Sequence, residues 1–214
     1  MIPLPEIGAA ARDVYAAMGA TPQYAWPLLS RRAGRDVWVK HENHTPTGAF
    51  KVRGGLHLLA GLAKRGDVTG IVSATRGNHG QSLAHAASQY GIRCVIVVPF
   101  GNSPGKNAAM SAFGAELIEH GLDFDEARLH AAEIAHQQHL RFIGPFDREL
   151  VAGVATYGLE LLQAVEDLAT VYVPISCGSG ICGLISARDA LGLPTRIVGV
   201  VSAAANVYAR ILAG

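Results

Sequence analysis

The stretch Lys40-His-Glu-Asn-His-Thr-Pro-Thr-Gly-Ala-Phe-Lys-Val-Arg-Gly-Gly55 organises the chain. A run of polar and turn-forming residues ends at one aromatic, Phe50, and one lysine, Lys51. Beyond them the apolar positions Leu56, Leu59, Ala60 and Ala63 recur at helical spacing. A lysine at a loop-to-helix junction sits at the positive end of the helix macrodipole, which disfavours its ammonium form. A neutral amine is what Schiff-base chemistry requires. The residues alone also allow the plain reading, in which Lys51 is a solvated surface charge.

Around this stretch strand and helix alternate. Upstream, Ile7–Met18 reads as an Ala-rich helix stopped by Gly19, Val37–Lys40 alternates like a strand, and Trp26–Leu28 and Arg31–Asp36 read as loop and turn. Downstream, Gly66 is a candidate C-cap. Strands are expected at Ile71–Ser73, Arg93–Val98, Glu116–Ile118, Arg141–Ile143, Thr170–Ile175 and Arg196–Val201. Helices are expected at His79–Tyr90, Pro104–Phe113, Phe124–His139, Val151–Ala164 and Gly180–Leu191, with another opening at Asn206. The β-branched runs Arg93–Val98 and Arg196–Val201 read as buried. This is the rhythm of βαβ units, hence an α/β protein with parallel sheets covered on both faces. The turn pair Gly144-Pro145 breaks the alternation and suggests a boundary near Phe146.

Composition excludes several classes. The chain has 214 residues, half of them hydrophobic, and a net charge of +1, so nothing electrostatic points to nucleic acid or an anionic membrane. Three cysteines, Cys94, Cys177 and Cys182, are odd in number and lack C-x-x-C spacing, which suggests neither a disulfide framework nor a zinc site. The N-terminus has no basic, apolar leader, and no stretch is long enough to span a bilayer. A reducing, cytoplasmic setting is expected.

Three places carry polar chemistry at predicted strand C-termini, where open α/β sheets bind ligands. The first is the Lys51 loop. The second is Ser73-Ala74-Thr75-Arg76-Gly77-Asn78-His79-Gly80-Gln81, whose amides open at a helix N-terminus and suit an anion. An ordinary capping loop with Asn78 as the cap is the other reading. The third is Ser176-Cys177-Gly178-Ser179-Gly180-Ile181-Cys182-Gly183, again between strand and helix. It can hold a phosphate or be a tight structural turn. It also spells G-x-G-x-x-G, the dinucleotide fingerprint. A nicotinamide enzyme would need an acidic residue about 20 positions further on, and no Asp or Glu follows Asp189.

Thr47-Gly48-Ala49-Phe50-Lys51-Val52-Arg53-Gly54 resembles the T-G-S-F-K-x-R-G signature of the pyridoxal-phosphate (PLP) enzymes with the tryptophan synthase β-subunit fold, fold type II. The branch it resembles is the serine/threonine dehydratases, and the likeness covers nearly all of the chain. It implies two parallel-sheet αβα domains: a large one from residues 1–52 and 147–214, incomplete here, and a small one from 53–146. It implies that Lys51 holds PLP through a Schiff base and serves as the catalytic base, with Phe50 packed beside the ring. The Ser73–Gln81 loop is similar to the family's asparagine loop, which assigns Asn78 to the cofactor's 3′-oxygen and Thr75, Gly77 and His79 to the substrate carboxylate. Ser176, Cys177, Gly178, Ser179 and Gly180 fall on the family's glycine-rich phosphate loop. Ala49 replaces the usual serine, and two or three positions of the phosphate loop are not glycine. Arg76 stands where serine racemases place their second base, which argues for elimination from one face only.

The implied reaction is loss of water from a β-hydroxy amino acid such as L-threonine or L-serine, giving a 2-keto acid and ammonia. The alternatives are β-replacement of the cysteine synthase kind and a catalytically defective PLP-binding fragment, since family chains usually continue past this length. The residue that meets the pyridine nitrogen in the family belongs to that further portion. Dimers or tetramers are the family's common state. No metal is expected: His41 and His44 lack a third ligand, and Val201 and Val207 occupy the positions that resemble the racemases' acidic cation ligands. His120, His130, His136 and His139 are expected to face solvent.

Overall fold

The computed structural model describes residues 1–66 and 68–213. The chain runs α1 (Leu4–Tyr15), β1 (Gln23–Ala25), α2 (Pro27–Ala33), β2 (Trp38–Lys40), α3 (Lys51–Arg65), β3 (Gly70–Ala74), α4 (Asn78–Gln89), β4 (Arg93–Val98) and α5 (Pro104–Ala112). It continues through β5 (Glu116–Glu119), α6 (Phe124–Gln137), β6 (Arg141–Phe142), α7 (Arg148–Ala164), β7 (Thr170–Pro174), α8 (Ser179–Ala190), β8 (Arg196–Val200), a 3-10 turn at Ala203–Ala205 and α9 (Val207–Ala213).

Four strands form a parallel sheet in the order β5-β4-β3-β6. Successive residues of a strand point to opposite faces, and here both faces are covered. Ile71, Cys94, Ile96 and Val98 pack with Leu56 and Leu59 of α3, Leu83 of α4 and Met110 of α5. Val72, Ala74, Val95 and Val97 pack with Ala127, Ala131 and Ile134 of α6 on the other side. The edge strand β5 is protected by charge: Glu116 pairs with Arg93 of β4 at 2.6 Å.

A second parallel pair, β7-β8, is joined through α8. Its core forms against α1, α7 and α8, through Ile7, Ala10, Val154, Leu162, Val173, Leu184 and Ala187. Helix α7 links the two regions, because it packs on α3 as well as on α8. The α3–α7 crossing requires glycine. A Cβ on Gly153 would sit 2.4 Å from the Arg53 carbonyl oxygen and 2.8 Å from the Gly54 Cα.

Three expectations need correction. Residues Pro27–Ala33, expected as loop, form α2, with Pro27 at its first position and Gly34 in the left-handed conformation closing it. The preceding residues add the short strand β1, paired antiparallel with β2. The sequence predicts a buried β8, yet Arg196, Gly199 and Val200 are exposed. Its β-branched composition is right for a strand, but burial depends on neighbours, and among the described residues its only strand partner is β7. Of the histidines expected to face solvent, His120, His136 and His139 do so. His130 is half-buried and stacks on His120, with ring centroids 3.8 Å apart.

Candidate active site

Three chain segments converge on one cavity of about 440 Å³. They are the start of α3, the turn from β3 into α4, and the turn from β7 into α8. All the residues singled out in the sequence line it: Phe50, Lys51, Thr75, Gly77, Asn78, His79, Ser176, Cys177, Gly178, Ser179 and Gly180. A larger groove of about 1170 Å³ lies between β2 and β7. It is walled by strand edges and lacks Lys51 and both turns, so the polar chemistry belongs to the smaller cavity.

Lys51 is the first residue of α3. Its Nζ lies 3.5 Å from the Ser179 hydroxyl and 5.6 Å from the centre of the Phe50 ring. Burial pushes its pKa below the ordinary lysine value, and the field of the Cys177 thiol only partly opposes this. The neutral amine anticipated from helix position is thus favoured chiefly by desolvation. The loop ahead of the lysine is closed by Thr45, whose hydroxyl accepts from the Ala49 amide at 2.9 Å and donates to the Ala49 carbonyl at 3.0 Å. Ser82 of α4 donates to the Lys51 carbonyl at 2.6 Å and so ties the second segment to the first.

In the β3–α4 turn the cap position is Gly77, not Asn78, and no side chain caps the helix. Asn78 is instead an exposed first-turn residue on the cavity wall. Thr75 is buried, and its hydroxyl accepts the Gly77 amide at 3.1 Å. That leaves the hydroxyl proton of Thr75 for another acceptor. The first-turn amides of α4 have no intrahelical acceptor. The His79 imidazole is buried and bonds the Ile143 carbonyl, while its Nε2 has no partner. Burial, aided by the nearby Lys51 charge, pushes its pKa down to about 3, so the ring is neutral and Nε2 is left as an acceptor.

The β7–α8 turn places Gly178 at φ 94° as the cap of α8, a left-handed conformation that favours glycine. The following amides of the first helical turn open towards the cavity side of the Ser176 and Ser179 hydroxyls, a donor set suited to a phosphate. The turn is held from behind. Tyr157 of α7 donates to the Gly180 carbonyl at 2.9 Å, and its ring lies 6.0 Å from that of Phe50. A Cβ on Gly180 would come 3.1 Å from the Phe50 ring, so the β7–α8 turn and the aromatic beside Lys51 lie close together. The fingerprint glycines do lie between a strand and a helix, but the next strand, β8, ends at Val200 with no acidic residue after it to hold a ribose.

The residues present fit PLP: a half-buried amine of lowered pKa for the aldehyde, and a helix N-terminus with the Ser176 and Ser179 hydroxyls for the phosphate.

Sequence inspection missed Tyr157, Lys106 and the pairing of Arg53. Arg53, two residues beyond Lys51, is fully buried. It donates to Glu42 at 2.8 and 2.9 Å, to Glu160 at 2.6 and 3.0 Å, to Thr156 at 3.1 Å and to Thr21 at 3.3 Å. Lys40 also pairs with Glu160. An arginine inside an apolar helical run must be paired if it is buried, and that is the signal the sequence carries. Its partners, 11 and 107 residues away, cannot be identified by spacing. The His41 ring packs among Tyr24, Trp26 and His44.

Comparison with known proteins gives a consistent picture. The profile of the family "Pyridoxal-phosphate dependent enzyme" matches residues 14–214. The chain is 35% identical over 190 residues to the L-threonine dehydratase biosynthetic IlvA of Haemophilus influenzae, covering 88% of this chain and 37% of that one. It is 37% identical over 178 residues to an L-threonine ammonia-lyase of Geobacter sulfurreducens, covering 83% of this chain and 44% of that one. The crystal structure of a threonine deaminase from T.th. superposes with a TM-score of 0.90 at 31% identity, over 99% of this chain and 68% of that one. The chain thus spans less than half the length of these two curated relatives.

Proposed function

This chain belongs to the family of pyridoxal-phosphate dependent enzymes, and from that premise we propose that it is a PLP-dependent ammonia-lyase acting on a β-hydroxy amino acid such as L-threonine or L-serine. The products are a 2-keto acid and ammonia. The observation that carries this reading is the meeting of a half-buried Lys51, its pKa lowered by desolvation, with two helix N-termini in one cavity. Threonine dehydratases and ammonia-lyases among the relatives support it.

Bound there, PLP supplies an electron sink for the charge left when the substrate's Cα–H bond breaks. The chain's residues do the rest. Lys51 anchors the cofactor and, when free, takes the α-proton with its neutral amine. Ser176, Cys177, Gly178, Ser179 and Gly180 hold the phosphate through backbone amides and hydroxyls. Asn78 bonds the cofactor's 3′-oxygen, and Phe50 walls the ring. Thr75, Gly77 and His79 hold the substrate carboxylate: Thr75 through its remaining hydroxyl proton, and His79 through its first-turn amide, since its ring is neutral and only accepts. Arg76 offers no second base at pH 7, so proton removal is confined to one face.

The division into 1–52 with 147–214 and 53–146 is proposed on the same grounds, as is a dimeric or tetrameric state. Among the described residues no helix is long and apolar enough to cross a membrane. With three free cysteines, a reducing cytoplasmic setting is the proposed location.

The test is a visible spectrum of the purified protein with PLP, borohydride reduction and peptide mapping, followed by product analysis with threonine and serine. Reduced cofactor on Lys51 with keto acid and ammonia formed is the expected result. Cofactor trapped on another lysine overturns the site, and a new amino acid made from an added thiol overturns elimination in favour of replacement.

A further inference from the structure

Resting on the reading of Lys51 as the base, we propose that the ring of His79 is its positioning residue: the Nε2 lone pair accepts a hydrogen bond from the free Lys51 amine and holds it at the β3–α4 turn while it carries the substrate's proton. Nε2 is a buried acceptor with no partner among the described residues. Lys51 has donors to spare, two N–H as an amine and three as an ammonium. Its one hydrogen bond among the described side chains, to the Ser179 hydroxyl, is long at 3.5 Å. Both residues line the same cavity, and the charge of Lys51 is felt at the His79 ring. The flexible four-carbon stem of the lysine lets its Nζ swing from one acceptor to the other.

The ring is built to accept and not to titrate. With Nε2 bare, its bond to the Ile143 carbonyl runs from Nδ1–H, which fixes the tautomer. That carbonyl is itself held, because the Ser73 hydroxyl donates to it at 2.6 Å and the Ile143 amide donates to the Val72 carbonyl at 2.9 Å. Burial, with the Lys51 charge, pushes the ring's pKa down to about 3. A ring of ordinary basicity would compete with Lys51 for the substrate's proton. This one orients the amine without discharging it.

Nothing anionic on the wall takes this role instead. Among the described residues lining the cavity there is no Asp or Glu. The other charged or titratable groups there are Arg76 on the β3–α4 turn, Lys106 on α5 and Cys177 on the β7–α8 turn. The two cations repel an ammonium, and only the field of the Cys177 thiol favours it. Behind Phe50, the Tyr157 hydroxyl of α7 is spent on the Gly180 carbonyl. Ser179 belongs to the turn assigned to the phosphate, so an anion bound there engages its hydroxyl and leaves Nε2 as the acceptor for Lys51.

The experiment reads the Lys51 amine in the full chain without PLP, by competitive labelling across pH with mass mapping. His79→Asn keeps a donor for the Ile143 carbonyl and removes the acceptor. His79→Gln places an amide oxygen near the Nε2 position and gives up the Ile143 bond. Loss of a hydrogen bond to the ammonium should lower the Lys51 pKa by about one unit in His79→Asn, so that labelling below that pKa speeds up about tenfold. His79→Gln should return it most of the way to the parent rate. A purely structural role predicts the opposite order, because Gln is the variant without the anchor. In the unsubstituted chain, imidazole 15N NMR should find Nε2 unprotonated and moving with the titration of Lys51, a readout that needs no variant to fold. In the PLP-loaded protein the acid limb of kcat should move to lower pH in His79→Asn, with KM near the parent value because the backbone amide is kept. An Nε2 resonance indifferent to Lys51 overturns the proposal, as does equal Lys51 labelling in the parent and His79→Asn. Cofactor trapped on another lysine would sink the proposed function while leaving the Lys51 labelling to be read on its own.

Discussion

Replacing Arg53 by methionine tests how the Lys51 helix is held. The substitution keeps most of the side-chain volume and removes six hydrogen bonds, four of them to carboxylates. Glu160 retains Lys40 and Tyr15 as partners, but among the described residues Glu42 retains only the Thr21 hydroxyl, at 2.6 Å. Both carboxylate side chains are largely buried, 15% and 8% exposed. Breaking such a pair from one side leaves an uncompensated charge and costs about 3–5 kcal/mol. With a urea dependence of about 2–3 kcal/mol per molar for a chain of this size, the unfolding midpoint should fall by about 1–2.5 M at pH 7.

The pH dependence follows from Glu160. Burial raises its pKa, but the hydrogen bond from Arg53, with Lys40 and Tyr15, outweighs this and holds it below the ordinary 4.5. A depressed carboxylate contributes stability that is present above its unfolded pKa and lost as pH falls through the folded one. The parent protein should therefore lose stability below about pH 4.5, and the deficit of Arg53→Met should shrink there. A loss under about 1 kcal/mol at pH 7, or parallel pH profiles for the two proteins, would refute the account of Arg53 as a buried clamp.

Gly153→Ala should destabilise the protein by at least about 1–3 kcal/mol in thermal or urea melts, because the added methyl meets backbone of α3 rather than a movable side chain. Tyr157→Phe removes the bond to the Gly180 carbonyl and should cost about 1 kcal/mol. PLP or phosphate affinity, measured by titration, should weaken with it, because the α8 turn loses its support. Lys51 should react faster with amine-directed reagents near pH 8 than Lys64, which is largely exposed and salt-bridged to Asp13. Its lowered pKa leaves more free amine at that pH, and competitive labelling with mass mapping reads the ratio.

Much of this architecture is legible in the residues. The run of strands and helices from Lys51 onward follows from period-2 and period-3.6 patterning, which local sterics impose wherever the chain is placed. The glycine stops at Gly34 and Gly66, both left-handed helix caps, are equally local. Only the second is recognisable beforehand, because the short helix α2 carries too few residues to show a period. The three polar turns stand out because small residues and helix N-termini are written in consecutive positions.

What tertiary structure decided is everything set by distant neighbours. The lowered pKa of Lys51 comes from desolvation in the assembled cavity, where its amine lies 3.5 Å from the hydroxyl of Ser179, 128 residues away. Arg53 reads as one more basic residue until Glu42 and Glu160 close around it. β8 has the composition of a buried strand and is half-exposed, because composition states a preference for burial while only packed neighbours can supply it. Local propensity therefore determined which elements form, and the assembled packing determined which charges are buried, paired or left waiting at the cavity wall.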